Sequence, residues 1–402
     1  MERKIILAYA LKNAIEHSGK ATSGPVINSL FNEGLKKDKI KGIIPQIQKV
    51  LDEVNKLPIE SQKLEFKKLK SIIGYRKERE GLPKLPNAKK GKVITRMSPS
   101  PSGPLHIGHI LAILPNFLYT QKYGGKFYLR IEDTNPENIY KPAYKTIEKE
   151  VKWLCKNKFH LIIQSERMDL YYKYIEKLLN KESVYVCTCN PEKFRELINS
   201  KKPCPCRKLS KKEQKERWGK MLNKTKSGYK PGEAVLRFKS NIKDKNPAMR
   251  DFPLARINTS KHPLQKNKYR VWPLMNLAVT VDDIELGMTH IIRGKDHKDN
   301  AKRQEMIYKV LGKSSKYPYV AFIGRLHLKG LQLSSTKIKA EIEAGKYKGW
   351  DDPKLLTLAS LKKIYKPEVF YKYAEERGIS ETDKNISKED LLKVLDTFSK
   401  SL

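Results

Sequence analysis

The chain has 402 residues, room for two to four compact units of the usual ~100–200 residues each. Hydrophobic residues make up 39% and aromatics 9%, which excludes wholesale disorder, and no apolar run approaches the roughly 20 residues of a membrane span. Lys and Arg number 83 against 44 Asp and Glu, a net charge of +39 that points to a polyanionic partner, nucleic acid ahead of an anionic membrane surface.

The first twenty residues carry charges on both sides of a short apolar stretch and no small-residue cleavage site, so no signal peptide is expected. Five cysteines are too few for a disulfide scaffold of this size. The expected compartment is reducing and cytoplasmic.

Residues 1–88 read as a helical domain, with apolar residues three and four apart in ILAYALKNAIEHSG and KGIIPQIQKVLDEVNKL. A Lys- and Pro-containing linker, Gly81 to Lys92, follows. Over 89–185 strands and helices alternate. KVITRMS, KFYLRIED and HLIIQSER read as strands, each followed by an amphipathic helix. Such alternation predicts an α/β fold with a doubly wound parallel sheet. An insertion over 186–265 breaks the pattern. Within it, Pro191 to Lys230 holds 14 Lys or Arg against 4 Glu, and short strands follow in EAVLRFKS and PLARIN. Alternation resumes over 266–332, with WPLMNLAVTVDD as a helix and MTHIIRG and YPYVAFIGRLHL as strands. The sheet is therefore expected to be split in two by the insertion. A loop, LQLSSTK, opens a last segment, 333–402, that reads as helical throughout.

Chemistry concentrates first in SPSPSGPLHIGH, residues 98–109, between the first predicted strand and its helix. In an open parallel sheet ligands sit at the carboxyl ends of strands, near helix N-termini. His106 and His109, three apart, share a helix face, and Gly108 lets a planar ligand approach the backbone. Two imidazoles there suit the stabilisation of charge on a phosphate undergoing displacement. The loop Leu333-Ser334-Ser335-Thr336-Lys337 offers a cationic arm that could reach phosphates. Four of the cysteines form two close pairs, Cys187/Cys189 and Cys204/Cys206, a soft tetrahedral ligand set suited to structural Zn²⁺. Cys155, on an amphipathic helix, reads as core.

SPSPSGPLHIGH, LRIEDTNP (129–136), VDDIELGMTHIIRGKDH (281–297) and LSSTKIKAEIEAGKYKGWDDPKLLTL (333–358) together resemble class I aminoacyl-tRNA synthetases of the glutamyl/glutaminyl group, most of all the archaeal glutamyl type. The resemblance runs over most of residues 92–390 and implies a Rossmann-like catalytic domain. It implies a glutamate–tRNA ligase: glutamate and ATP, with Mg²⁺, give glutamyl-adenylate, and glutamate passes to the 3′-terminal adenosine of tRNA. By match to the family motifs, Pro99, Ser100, His106, Gly108, His109 and Lys337 would hold ATP, with His106, His109 and Lys337 acting in catalysis. Arg96, Ser98, Glu132, Trp272, Met275 and Arg293 would hold glutamate. Arg293 would pair with its side-chain carboxylate, and a guanidinium favours a carboxylate over an amide. The family's loop often has a further lysine where this chain has Leu or Ser, so phosphate contact rests more on Lys337. Bacterial members have a tyrosine where this chain has Met275, and Trp272 is expected to supply part of that wall. Relatives also carry zinc in the insertion.

The basic stretch around the cysteines, with Phe194, Trp218 and Tyr229 interleaved, is expected to face the tRNA acceptor end. The group normally continues into β-barrels that read the anticodon, whereas this chain ends at Leu402. Truncation, a separate anticodon-binding chain, or a paralogue that needs no anticodon are the readings this leaves open, as is charging of tRNA for glutamine beside tRNA for glutamate. The rival readings are a glutamyl-queuosine tRNA synthetase, whose members lack both helical segments, and an RNA-binding paralogue or subunit of a split synthetase.

Overall fold

The computed structural model describes residues 2–73, 81–331 and 333–402. It divides into two compact units, Met1–Glu78 and Arg79–Leu402. The first is helical as expected, with Arg3–Glu16, Ser23–Leu30, Ile40–Asn55 and Ile59–Leu69 around a core that includes Ile6, Leu11, Ile47 and Leu51. Gln62, fully buried, ties the turns together by donating from Nε2 to the carbonyls of Gly19 (2.9 Å) and Val54 (2.9 Å). The unit ends at Glu78, not at the expected residue 88. The reason is packing: Leu82 and Leu85 bury against Val93, Tyr119, Ile292 and Ile323, so much of the predicted linker belongs to the second unit.

In the second unit the strands are β1 (Ile94–Met97), β2 (Lys126–Ile131), β3 (His160–Ile163), β4 (Val184–Cys187), β5 (Val235–Phe238), β6 (Pro253–Ile257), β7 (Val271–Pro273), β8 (His290–Gly294), β9 (Tyr319–Ile323), β10 (Leu326–Leu328) and β11 (Lys384–Ile386). β1, β2 and β3 pair in parallel, as do β8 and β9. Between them the insertion forms an antiparallel sheet, β4-β5-β6-β7. The split parallel sheet is thus as the alternation implies.

The two halves meet along β1 and β8. At the start of β1 the Thr289 N–H donates to Ile94 O (3.0 Å), and the Ile94 N–H donates to the Thr289 hydroxyl (2.8 Å). Further along, the strands part, and a side chain fills the gap. Asn116, in the helix Ile107–Tyr123, donates from Nδ2 to Ile292 O (2.9 Å) and accepts the Ile292 N–H at Oδ1 (3.0 Å). The opening lies where the strand order reverses, β1 to β3 running one way from it and β8 to β9 the other, the place where open α/β sheets bind ligands.

Residues 333–402 depart from expectation in two ways. They are not wholly helical, since β11 pairs in parallel with β10. Nor do they stand apart: Leu358, Leu361, Val369 and Phe370 share one core with Ile107, Leu114, Phe117 and Leu129. Cys155 is fully buried in that core. Among the described residues, no helix is long and apolar enough to cross a membrane.

Candidate active site

Two adjoining cavities open at the parted ends of β1 and β8, of about 250 Å³ and about 600 Å³. Arg96, Ser98, Pro99, Ser100, Glu132, Met275 and Arg293 line the smaller. His106, Gly108, Arg325, Leu333 and Ser334 line the larger. His109, Ala112, Gly294 and His297 belong to both.

His106 caps the helix Ile107–Tyr123, and its ring stacks on His109 with centroids 3.7 Å apart. The His106 N–H donates to His109 Nδ1 (3.3 Å), which sets His109 as the tautomer carrying its proton on Nε2. Burial pushes His109 down to about 4, and burial together with His109 holds His106 well below the ordinary imidazole range. Both rings are therefore neutral near pH 7. Each neutral ring carries one N–H at a helix N-terminus, where the backbone already favours an anion. A Cβ at Gly108 would come within 3.1 Å of the His106 ring, so a side chain there would press on the imidazole.

This turn is held on several sides. The Ile107 N–H donates to Leu356 O (2.9 Å) and the Leu358 N–H to Leu105 O (2.8 Å), so the histidine turn is bridged to the last segment. From the helix Ala143–Leu154, buried Glu150 accepts the Leu105 N–H (2.8 Å). Burial pushes its carboxyl up to about 7 despite that bond and nearby Lys362.

The smaller cavity is organised by charge. Asp283, 2% exposed, receives Arg96 through two bonds (2.6 and 2.9 Å) and Arg130 through one (2.7 Å). Burial alone would raise its pKa, but the two guanidiniums outweigh this and hold it low. Arg130, fully buried, also reaches Glu132 (2.9 Å), and Arg96 donates to Ser98 (2.9 Å). Asp282, next to Asp283, bonds Gln164, Arg167 and Tyr171 (2.8–3.0 Å) and lies 3.7 Å from Arg130 Nε. Arg293 differs. It is 8% exposed and, among the described residues, its one hydrogen bond is to the neutral Gln304 (2.9 Å) and its Nε has no partner. Burial and the charge of Arg96 push it down to about 10. The cavity thus presents one buried cation without a carboxylate of its own.

Two of the sequence-predicted residues lie elsewhere. Trp272 is 1% exposed, stacks on His262 (centroids 4.9 Å apart) and donates to Asn258 O (3.2 Å), so it is core of the insertion and not a cavity wall. Lys337 is exposed on the helix Ser335–Glu343 and lines neither cavity. Ser335, two residues earlier, is buried and donates to Pro104 O (3.2 Å). Sequence reasoning missed Arg130, Asp283, Asn116 and Gln304. Arg130 and Asp283 lie inside the motifs LRIEDTNP and VDDIEL, while nothing in the sequence marked Asn116 or Gln304.

In the insertion, the sulfurs of Cys187, Cys189, Cys204 and Cys206 lie within 4.8 Å of one another. Three of the separations are 3.3, 3.5 and 3.8 Å. A tetrahedral ion with Zn–S of about 2.3 Å requires S···S of about 3.8 Å, so the donor set fits Zn²⁺. The Arg217 guanidinium donates to Cys206 Sγ (3.2 Å), a counter-charge for a thiolate. Phe194 and Trp218 are buried and do not offer stacking faces; Phe194 packs beneath Arg237, 3.4 Å from its ring centroid. The aromatic interleaving is core packing, and only Tyr229 is partly exposed.

A split parallel sheet thus brings two neutral histidines and a buried guanidinium bonded to a neutral amide to two adjoining cavities. A family model described as tRNA synthetases class I (E and Q), catalytic domain, matches residues 92–397. The glutamate–tRNA ligase of Pyrococcus abyssi is 43% identical over 399 residues, covering 96% of this chain and 69% of that protein. That of Methanocaldococcus jannaschii is 42% identical over 393 residues, covering 97% and 69%. Among solved structures, the glutamate–tRNA synthetase from Elizabethkingia anophelis superposes with a TM-score of 0.54 at 20% identity, covering 76% of this chain and 70% of that one. The chain belongs to the class I tRNA synthetases of the glutamate and glutamine family.

Proposed function

We propose that the protein is a glutamate–tRNA ligase. The observation that carries the choice of acid is Arg293, a buried cation that lacks a carboxylate partner and faces a cavity sized for a small molecule. Glutamate's side-chain carboxylate would complete that pair. Glu132 would take its ammonium group, and Ser98, bonded to Arg96, would border its α-carboxylate. An amide in place of the carboxylate would leave Arg293 buried and uncompensated.

ATP, entering as its Mg²⁺ complex, would occupy the larger cavity. An oxygen of glutamate's α-carboxylate attacks the α-phosphorus, and the bond to pyrophosphate breaks. His109, donating from Nε2, and His106 stabilise the charge that builds on the phosphate oxygens. A ribose hydroxyl of the terminal adenosine then attacks the acyl carbon, and AMP leaves. Lys337 would reach the released phosphates by its flexible stem.

Cys187, Cys189, Cys204 and Cys206 would hold Zn²⁺, which supplies rigidity to the acceptor-end module and no chemistry. The partner is tRNA for glutamate, with tRNA for glutamine and a separate anticodon-binding chain as further candidates, and the compartment is the cytoplasm. The test is ATP–pyrophosphate exchange with tRNA present. Exchange that depends on glutamate and not glutamine is expected; none with either would overturn the reading.

A further inference from the structure

His297 stands where the two cavities join, across from His109, and lines both. It ends the turn Lys295–His297 and precedes the helix Lys298–Val310. Its ring is fixed by a short chain of bonds. Arg303 donates to Asn300 Oδ1 (3.3 Å), which leaves the Asn300 amide N–H₂ to face His297 Nδ1 (3.1 Å). Nδ1 therefore accepts, and the neutral ring carries its proton on Nε2. Among the described residues that nitrogen has no hydrogen-bond partner: the nearest carboxylate oxygen, on Asp296, is 3.7 Å away and is engaged by Arg325 (3.2 Å).

We propose that His297 is a further catalytic residue, whose Nε2–H donates to an anionic oxygen of the reacting pair where the two cavities meet, and that Asn300 is the positioning residue that keeps it a donor. The oxygen belongs either to the amino acid's α-carboxylate or to the nucleotide's α-phosphate; both present the same acceptor at this junction. Charged and titratable groups facing the ring are Arg293 on β8, Arg96 on β1, Glu132 after β2, His109 on the helix Ile107–Tyr123 and Asp296 in its own turn. Burial and Arg293 hold the imidazole below its ordinary range, so it is neutral when it donates. Three neutral imidazoles would then surround the reacting atoms, adding no further positive charge beside Arg293.

The inference rests on the proposed activity, and one assay separates the two. In glutamate-dependent pyrophosphate exchange with tRNA present, the parent's own rate decides the activity. Given that rate, His297→Ala should lower kcat/KM by roughly 10²-fold, the scale of one lost transition-state donor. His297→Gln, which places an amide N–H near the Nε2 position, should stay within about tenfold of the parent. A rise in the KM for ATP assigns the phosphate oxygen, and a rise in the KM for glutamate assigns the carboxylate. Asn300→Asp gives the sharper readout. A carboxylate beside Nδ1 draws the proton there and turns Nε2 into an acceptor, so activity at roughly pH 8.5 should fall towards that of His297→Ala. The same carboxylate raises the ring's pKa, so towards roughly pH 6 the ring charges, both nitrogens donate, and activity should return. The parent should show no such recovery. If folded His297→Ala stays within about threefold of an active parent, or if Asn300→Asp keeps the parent's pH profile, the proposal is wrong.

Discussion

Replacing Arg293 by Gln should separate function from stability in a direction opposite to most active-site changes. In the fold the guanidinium is buried, bonded to a neutral amide, and pushed down to about 10. A group whose folded pKa is depressed below its unfolded value, and which is still charged at pH 7, opposes folding by the whole difference. At about 1.4 kcal/mol per tenfold, this places about 3 kcal/mol against the fold. Gln removes the charge and can bond Gln304, so melting temperature should hold or rise by several degrees. Glutamate activation should fall by about 2–5 kcal/mol, or roughly 30- to 5000-fold in kcat/KM, because the substrate's carboxylate is then desolvated without a partner. The assay is pyrophosphate exchange with glutamate and glutamine in parallel, beside a thermal melt. A variant that melts lower and still prefers glutamate as the parent does would refute the reasoning, and Arg96 would be the next candidate reader.

His109 is neutral in the fold and titrates ordinarily when unfolded, so its stabilising effect is complete above pH ~6.5 and is lost as pH falls towards about 4. His109→Asn should flatten stability over that window in urea melts, and should lower exchange by roughly 10²–10³-fold. Asp283→Asn leaves buried Arg96 without a carboxylate, while Arg130 keeps Glu132, and should cost about 3–5 kcal/mol of unfolding free energy in denaturant melts, with the loss shrinking little in salt because the pairs are buried. Cys204→Ser should bring bound zinc well below one per chain by metal analysis and open the 187–206 loop to protease. Full zinc content in that variant would count against the four-thiolate site.

What the sequence made visible was contiguous. The histidine turn, the Glu132 strand end and Arg293 sit in unbroken motifs, and strand–helix alternation carried the split sheet. What it hid depends on distance along the chain. Asp283 meets Arg96 across 187 positions, and no local pattern marks the partner. Asn116 could not be recognised as the residue that plugs the gap between β1 and β8, since an Asn after Pro115 reads as a flaw in a helix. Trp218 and Phe194 are core because an aromatic beside lysines looks the same in sequence whether its ring faces RNA or the core; Trp272, expected as a pocket wall, packs on His262 instead. β11 has three residues, too few for alternation to register.

The geometry of the phosphate-facing side assigns rigidity and motion to different parts. Gly103 lies so close to the last segment that a Cβ would meet Ser335 Cβ at 2.8 Å and the Trp350 ring at 2.9 Å. Ser335 is anchored on Pro104 O, and residues 356 and 358 bond the histidine turn directly. Ser335 is therefore a packing residue, small enough to seat the loop on the turn. Positive charge stands two residues on, at exposed Lys337, where the helix Ser335–Glu343 is fixed at its first residue. On this account the moving part is a four-carbon stem on a fixed base, and the histidine turn it serves is held by backbone bonds that need not break.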